Sequence, residues 1–306
     1  MRRYLAAGLL AVLSLTACGG GDSGGPSGPA GSPGSGATNR SYDVSAIQKV
    51  DEIAAMLPSG VAGRGKLVIG AAIDYAPAEF RAEDLTTAVG YDVDMGKALG
   101  RVLGIETEVS AAEFASLLPG IGSIYDVGIS SFTITNERMS SYNMIGYIMV
   151  GSSFAVQTGN PKGFDPAKLC GQAIGVQTGT WQETDLATRS AACTMAGEAA
   201  IEVLSYGAQS DVTTNVIGGK AVAFYADSTV ADYASALTNG QMEVVGGVMD
   251  AAPQGIVVAK ADTELTMAIQ AAMQHLMDEG IWTDILASWG VAKDAALDKA
   301  QLNPGV

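Results

Sequence analysis

Arg138 closes a run rich in hydroxyl side chains, Ser130-Ser131-Phe132-Thr133-Ile134-Thr135-Asn136-Glu137-Arg138. A guanidinium offers its donors as a planar fork, so it can grip a carboxylate through two parallel charge-assisted hydrogen bonds of about 1.5 to 3 kcal/mol each. Just past a strand-to-loop cluster of serines and threonines, Arg138 is a candidate carboxylate clamp. Ser131 and Thr133, with their backbone groups, can supply further donors and acceptors. A second anion-favouring feature is Gly179-Thr180, which opens a helical pattern; free amides at a helix N-terminus attract negative charge. Other chemistries are thinly supplied. One histidine, His275, and three cysteines cannot assemble a Cys/His zinc site within the chain, and histidine-dependent triads are nearly excluded.

The elements that would position these residues follow from hydrophobic spacing. The chain has 306 residues, 48% of them hydrophobic, enough for two lobes of roughly 100 to 150 residues around real cores. Lys and Arg number 17 against 32 Asp and Glu, a formal charge of -15; that field repels phosphate backbones and argues against a nucleic-acid partner. Lys66 to Ala71 is an apolar run suited to a buried strand. Asp92 to Leu103 has helical spacing, Thr107 to Ser110 is a strand, Glu113 to Ile121 a helix and Tyr125 to Ser130 a strand. The alternation restarts near Gly171, with strands at 173–176, 202–204 and 221–225 and helices at 181–190 and 209–217. Such alternation predicts a mainly parallel, doubly covered α/β sheet in each unit. The extended stretches 152–157 and 255–259 lie between the units in sequence, and helices follow at 264–278 and 282–289. If those late helices return to the first unit, the chain crosses twice between lobes and leaves a cleft where strand ends meet.

Ahead of this region, Arg2 and Arg3 precede an apolar run of about a dozen residues, too short for the roughly 20 that span a bilayer. Leu15-Thr16-Ala17-Cys18 is similar to a bacterial lipobox, which predicts a signal peptide over 1–17 and a lipid-modified Cys18 on the outer face of the cell membrane. Residues 18–41, mostly Gly, Ser, Pro and Ala, are expected to be a flexible tether. Gly21-Asp22-Ser23-Gly24-Gly25-Pro26 within it spells a trypsin-like nucleophile motif, but in that family a histidine base precedes the serine, and the one histidine here, His275, comes 252 residues after Ser23. Val44, Ile47, Val50, Ile53, Ala54 and Leu57 fall at helical spacing, so an amphipathic helix and linker are expected over 42–64.

The runs Gly65-Lys66-Leu67-Val68-Ile69-Gly70, Asp74-Tyr75-Ala76-Pro77, Gly90-Tyr91-Asp92-Val93-Asp94-Met95, Phe114-Ala115-Ser116-Leu117-Leu118-Pro119 and the Ser130 to Arg138 segment resemble the extracytoplasmic amino-acid-binding proteins of ATP-binding-cassette importers, solute-binding protein family 3 in lipoprotein form. Gly175-Val176-Gln177-Thr178-Gly179-Thr180, Ala223-Phe224-Tyr225-Ala226-Asp227, Gly255-Ile256-Val257-Val258 and Asp278-Glu279-Gly280-Ile281-Trp282 follow in the family's order, so the resemblance covers about residues 65 to 291. It implies a type II periplasmic-binding-protein fold, two α/β lobes joined by a two-strand hinge, with lobe one at 65–152 and 253–306 and lobe two at 153–252. It also implies a non-catalytic protein without cofactor or metal that passes an amino acid to permease transmembrane subunits. Arg138 would hold the α-carboxylate and Asp227 the α-ammonium, Tyr75 and Phe114 would sandwich the side chain, and Ser130, Ser131, Thr133 and Thr180 would complete the site. Two departures stand out: Ala72 replaces an aspartate found in several binders of cationic amino acids, and Trp181 replaces a second threonine. With no Lys or Arg in 67–80 either, a neutral polar or small amino acid is the expected ligand, because burying an unpaired charge costs several kcal/mol.

Cys170 and Cys193 remain once Cys18 is lipidated, and in an exported protein they are expected to form a disulfide between the start of lobe two and the loop after its first helix. Two other functions fit the same scaffold: an extracellular sensor that presents its ligand to a receptor, and a dehydratase-like enzyme, for which Asp74 and Glu79 are the only nearby acids. The lipobox generates a direct test. Cys18→Ala should move the protein from the membrane fraction to the soluble or secreted one, and unchanged fractionation would remove the anchor.

Overall fold

The computed structural model describes residues 40–305. The signal segment 1–17, Cys18 and nearly all of the tether 18–41 lie outside the described residues, and no helix among the described residues is long and apolar enough to cross a membrane.

Strand β1 (Lys66–Ala71) lies between β5 (Glu106–Ala111) and β6 (Val127–Gly128), parallel to both. Helix α3 (Tyr91–Leu103) connects β1's neighbourhood to β5 and buries Met95, Ala98, Leu99 and Val102 completely. It stops at Gly104, whose left-handed backbone (φ 67°) lets its N–H close on the carbonyls of Arg101 and Gly100. Helix α4 (Phe114–Gly120) leads to β6, and α5 (Asn136–Ser141) to a strand of 16 residues, β7 (Tyr142–Gln157). The second lobe repeats the pattern: β8 (Ala173–Gln177), α6 (Trp181–Met195), β9 (Glu202–Tyr206), α7 (Gln209–Ile217), β10 (Ala223–Asp227) and α8 (Ser228–Leu237). Strand β11 (Met242–Ala259) then runs back to the first lobe, where α9 (Thr263–Asp278) and α10 (Ile281–Ser288) complete it. Two indoles fix that return. Trp282 donates to the carbonyl of Tyr147 at 2.7 Å, and Trp289 donates to the buried Asp94 carboxylate at 2.9 Å.

The two lobes share one eight-stranded sheet, in the order β5-β1-β6-β11-β7-β10-β8-β9. Its flanks are parallel, as the alternation predicts, but β6 with β11, β11 with β7 and β7 with β10 are antiparallel. The mixture has a simple cause: β7 and β11 pass between lobes in opposite directions with no crossover helix on either passage. Their ladder loses register between Val245 and Met249, again before Ala252, and once more between Gln254 and Gly255.

The expected helix over 42–64 is not continuous. Val44–Ala46 is a single 3-10 turn, followed by extended chain, a short α1 (Asp51–Ala54) and α2 (Ser59–Arg64). The same apolar residues, Val44, Ile47, Val50, Ile53 and Leu57, still pack on the core, but as a strap. The Val50 N–H donates to the Val102 carbonyl (2.9 Å) and the Tyr42 N–H to the Asp94 carboxylate (2.9 Å), and these tertiary bonds replace helical ones. The spacing also gave no hint of a second, three-stranded sheet of β2 (Asp74–Tyr75), β3 (Glu79–Arg81) and β4 (Ala88–Val89). It is followed by Gly90 (φ 132°), where a Cβ would sit 2.0 Å from the Ala78 carbonyl oxygen, so no other residue fits.

Cys170 and Cys193 are disulfide-bonded, with Cα atoms 5.6 Å apart. Cys193 lies in the last turn of α6 rather than in the loop after it, because the helix runs to Met195. The bond ties α6 to the chain that enters β8. Reduction, or Cys193→Ser, should lower the unfolding free energy by about 3 kcal/mol in the chain-entropy model. Denaturant titration with and without reductant measures this, and coincident curves would show that the bridge contributes nothing.

Candidate functional site

Tyr75, Phe114, Ser130, Ser131, Thr133, Arg138, Thr180 and Asp227 all line one narrow cavity between the lobes. Gln177, Trp181 and Gln182 complete the lining. Arg138 and Asp227 are its only charged residues, the first from lobe one and the second from lobe two.

Arg138 sits in the first turn of α5, whose N-cap Thr135 accepts the Arg138 N–H through Oγ1 at 3.1 Å. This cap turns the side chain inward. One arm of the guanidinium donates to the carbonyl of Thr133 (2.7 Å) and the other reaches across to the carbonyl of Gly179 (3.0 Å). The group stands 5.8 Å above the Phe114 ring, which is itself stacked on Phe132 at 4.9 Å. Burial pulls its pKa down to about 10, against the attraction of Asp227 and Glu137. It is therefore still cationic at neutral pH.

Asp227 ends β10 and precedes α8. Its carboxylate accepts from Gln182 Nε2 (2.7 Å) and Gln254 Nε2 (2.6 Å), and its backbone N–H donates to the Tyr75 hydroxyl at 3.1 Å. Burial pushes its pKa up to about 6, although the two amides and Arg138 pull the other way. Thr180 is the N-cap of α6: its hydroxyl accepts from the Glu183 N–H (3.3 Å) and donates to the Gln177 carbonyl (2.7 Å). Capping and lining the cavity thus coincide at this residue.

Ser130 and Ser131 are held from behind by two buried acids. Ser130 Oγ donates to Glu79 Oε1 at 2.7 Å and accepts from the Ala72 N–H at 3.0 Å. The Ser131 N–H donates to Asp92 Oδ2 at 2.8 Å, as does the Tyr147 hydroxyl at 3.0 Å. Ser131 adopts a left-handed backbone (φ 48°), a conformation that costs of order 1 to 3 kcal/mol unless its surroundings fix it; the Asp92 bond does so. Only neutral groups donate to these two acids; desolvation raises the pKa of both, the Asp92 charge raises that of Glu79 further, and bonds from Ser131, Tyr147 and Glu79 pull Asp92 part of the way back. Glu79 does not line the cavity, and neither does Asp74, which leaves the acids of a dehydratase-like reading outside the space a substrate would fill.

Sequence reading missed Gln177, Gln182 and Gln254, and treated Trp181 only as a departure from the family. A signal was present: Gln254 is an amide directly before the apolar run Gly255 to Ala259, and Gln182 follows a helix N-cap. Ala72 also has a different environment from the one its position suggested. It packs with Phe114 and Leu117 in an apolar cluster and does not line the cavity.

The chain is 36% identical over 256 residues to the arginine-binding protein ArgT of Corynebacterium glutamicum, covering 83% of each chain. It is 29% identical to the L-arginine-binding protein of Pseudomonas aeruginosa, over 71% of this chain and 85% of that one. Among solved structures it is similar to an ancestral arginine-binding protein bound to arginine, with a TM-score of 0.67, 28% identity, and coverage of 74% of this chain and 98% of that one. The pattern of the bacterial extracellular solute-binding proteins, family 3, matches residues 67–292, and the chain belongs to that family.

Proposed function

We propose that this protein is a lipid-anchored, extracytoplasmic solute-binding protein that captures an amino acid between its lobes and delivers it, chemically unchanged, to the permease of an ATP-binding-cassette importer. One observation carries the reading: the cavity's only cation and only acid, Arg138 and Asp227, face it from opposite lobes. An amino acid bears the complementary pair of charges. Its carboxylate would take the Arg138 fork in place of backbone carbonyls, and its ammonium would take the Asp227 carboxylate in place of amides. A ligand that bridges the lobes binds the closed form better than the open one, which is the condition for it to drive closure. Residues 65–152 with 253–306 would move as one body and 153–252 as the other, the register breaks in the β7 and β11 ladder supplying the hinge.

L-Arginine is the ligand this geometry favours, in place of the neutral side chain that Ala72 suggested. The acids around the cavity, Asp227, Asp74 behind Gln177 (3.4 Å) and the Glu79 and Asp92 pair behind the serines, outnumber the cations Arg138 and Arg81, the latter beside Asp74. That negative excess suits a cationic side chain, and the aromatic rings of Tyr75 and Phe114 can hold a guanidinium. The arginine-binding names of the relatives point the same way.

A thermal-shift panel of the twenty amino acids, followed by calorimetry, tests this reading. Arginine should bind most tightly, and at 100 times its dissociation constant should stabilise the fold by about 2.7 kcal/mol. Arg138→Lys and Arg138→Ala should keep the circular dichroism of the wild type and lose at least about tenfold in affinity, since a point charge cannot reproduce the fork. Near-normal affinity in a folded Arg138→Ala protein, or a preference for glutamate, would overturn the assignment.

The pH dependence has a defined sign. The ammonium needs an ionised Asp227, whose pKa without ligand is raised to about 6. Bound ammonium favours the charged carboxylate, so binding releases a proton below that pH. Through Asp227, affinity should be level above about pH 7 and fall by up to about tenfold per unit below pH 6. Calorimetry from pH 5 to 8 on the Asp74→Asn protein, which lacks the opposing titration of that buried acid, checks this, and affinity that rises continuously as the pH falls there would exclude Asp227 as the ammonium's partner.

A further inference from the structure

Asp74 lies outside the cavity lining. It is nonetheless engaged across the cleft. From strand β2 in lobe one, its Oδ2 accepts the N–H of Gln209 at 2.7 Å, and its Oδ1 accepts from Gln177 Nε2 at 3.4 Å. Both partners belong to lobe two. Gln209 is the first residue of α7, a helix of nine residues whose own N-cap, Ala208, has no side-chain acceptor. The first amides of a helix have no partner within it and are satisfied by a cap, by water or by a ligand. Here the acceptor comes from the opposite lobe. Gln177 links the same carboxylate to the cavity, because it lines that space and also donates to the Gly207 carbonyl at 3.3 Å.

We infer that Asp74 is a cross-lobe clasp: its carboxylate caps helix α7 only when the lobes close, and by doing so slows the release of whatever the cavity holds. The inference rests on the capture function proposed above but concerns a residue that does not touch the ligand. Tyr75, next in the chain, reaches across as well, accepting the Asp227 N–H at 3.1 Å, but Tyr75 lines the cavity and would meet the ligand. Asp74 is thus a positioning residue, acting through Gln209 and Gln177.

The charge on the clasp is not free of cost. Burial in the closed form pushes the Asp74 pKa up to about 6, the largest influence, while the bonds from Gln209 and Gln177 lower it. The charged or titratable groups around it are Arg81 and Glu79 on β3, Glu113 before α4 and Asp211 on α7. With the lobes apart the carboxylate regains water and a pKa nearer 3.9. The closed form therefore binds the Asp74 proton more tightly than the open form, and a neutral acceptor at this position would keep the bond without the desolvation.

The experiment uses the mature chain with L-arginine as probe, comparing wild type, Asp74→Ala and Asp74→Asn by calorimetry and stopped-flow kinetics. Asp74→Ala should weaken binding about tenfold, the size of a lost helix cap. The change should appear in the off-rate, with the on-rate no slower than wild type. Asp74→Asn should bind at least as tightly as wild type at pH 7.5, and its difference from wild type should shrink between pH 7.5 and pH 5, which a merely structural role would not produce. Wild-type off-rates in Asp74→Ala, or equal losses in both variants, would overturn the clasp. Should Asp74→Ala fail to fold, the pH-dependent difference between Asp74→Asn and wild type decides alone. Should no amino acid bind wild type, the function proposed above falls instead. Interlobe distances in the ligand-free proteins then decide: a more open Asp74→Ala supports the clasp, and identical distances refute it.

Discussion

Strands β7 and β11 carry the whole chain between lobes, and their shared ladder is the constraint on which every contact in the cavity depends. Ser152 of β7 pairs in register with Asp227 of β10 and accepts from Gln182, the residue that also holds the Asp227 carboxylate. Gln254 of β11 bonds the other oxygen of that carboxylate and forms a bridge with Thr133, the residue whose carbonyl takes one arm of Arg138. Both charged groups are therefore referred to the hinge strands within one or two hydrogen bonds. A change in the angle between lobes is converted directly into a change in the distance between a cation and an acid.

The second organising constraint is the cost of removing charge from water. Isolated buried carboxylates are unfavourable by several kcal/mol, and this fold places Glu79, Asp92 and Asp227 in its interior. Each is answered by neutral donors rather than by a close salt bridge: serine and tyrosine hydroxyls, a backbone amide, glutamine side chains. Neutral donors fix geometry without cancelling the charge. The result is a set of rigid acids behind or beside the cavity, with burial drawing the Glu79 and Asp92 pair toward its protonated form and leaving Asp227 as the acid in the cavity wall.

Much of this was legible in the sequence. The alternation of apolar strands and amphipathic helices is a local property, and β1, α3, β5, α7 and α9 begin and end within a few residues of where their spacing places them. The lining residues were legible chiefly through the resemblance to the family, which marked Tyr75, Phe114, Arg138 and Asp227; chemistry alone pointed only to the Arg138 fork beside a hydroxyl cluster and to the helix start at Thr180. What was not legible is tertiary in origin. The strap at 44–57 has helical spacing, yet its amides bond to Val102 and to Asp94, residues that a local pattern cannot see. Strands β2 and β3 are too short to show a period. The glutamines that hold Asp227 come from three different elements, and no spacing rule connects Gln182 with Gln254.

The satisfied state of the two charged groups bears on where binding energy can arise. Arg138 already has two carbonyl acceptors and Asp227 two amide donors. A zwitterionic ligand would exchange these for a carboxylate and an ammonium, so the gain per contact is the difference between charge-assisted and weaker bonds, not the full strength of a new one. The remaining free energy must come from what closure itself creates: expelled water, aromatic contact, and bonds between lobes that exist in no other state. On the function proposed above, contacts outside the cavity then contribute to affinity beside those inside it. The cross-lobe clasp inferred above would then act on residence time, while selectivity would lie with the lining side chains and the acids behind them.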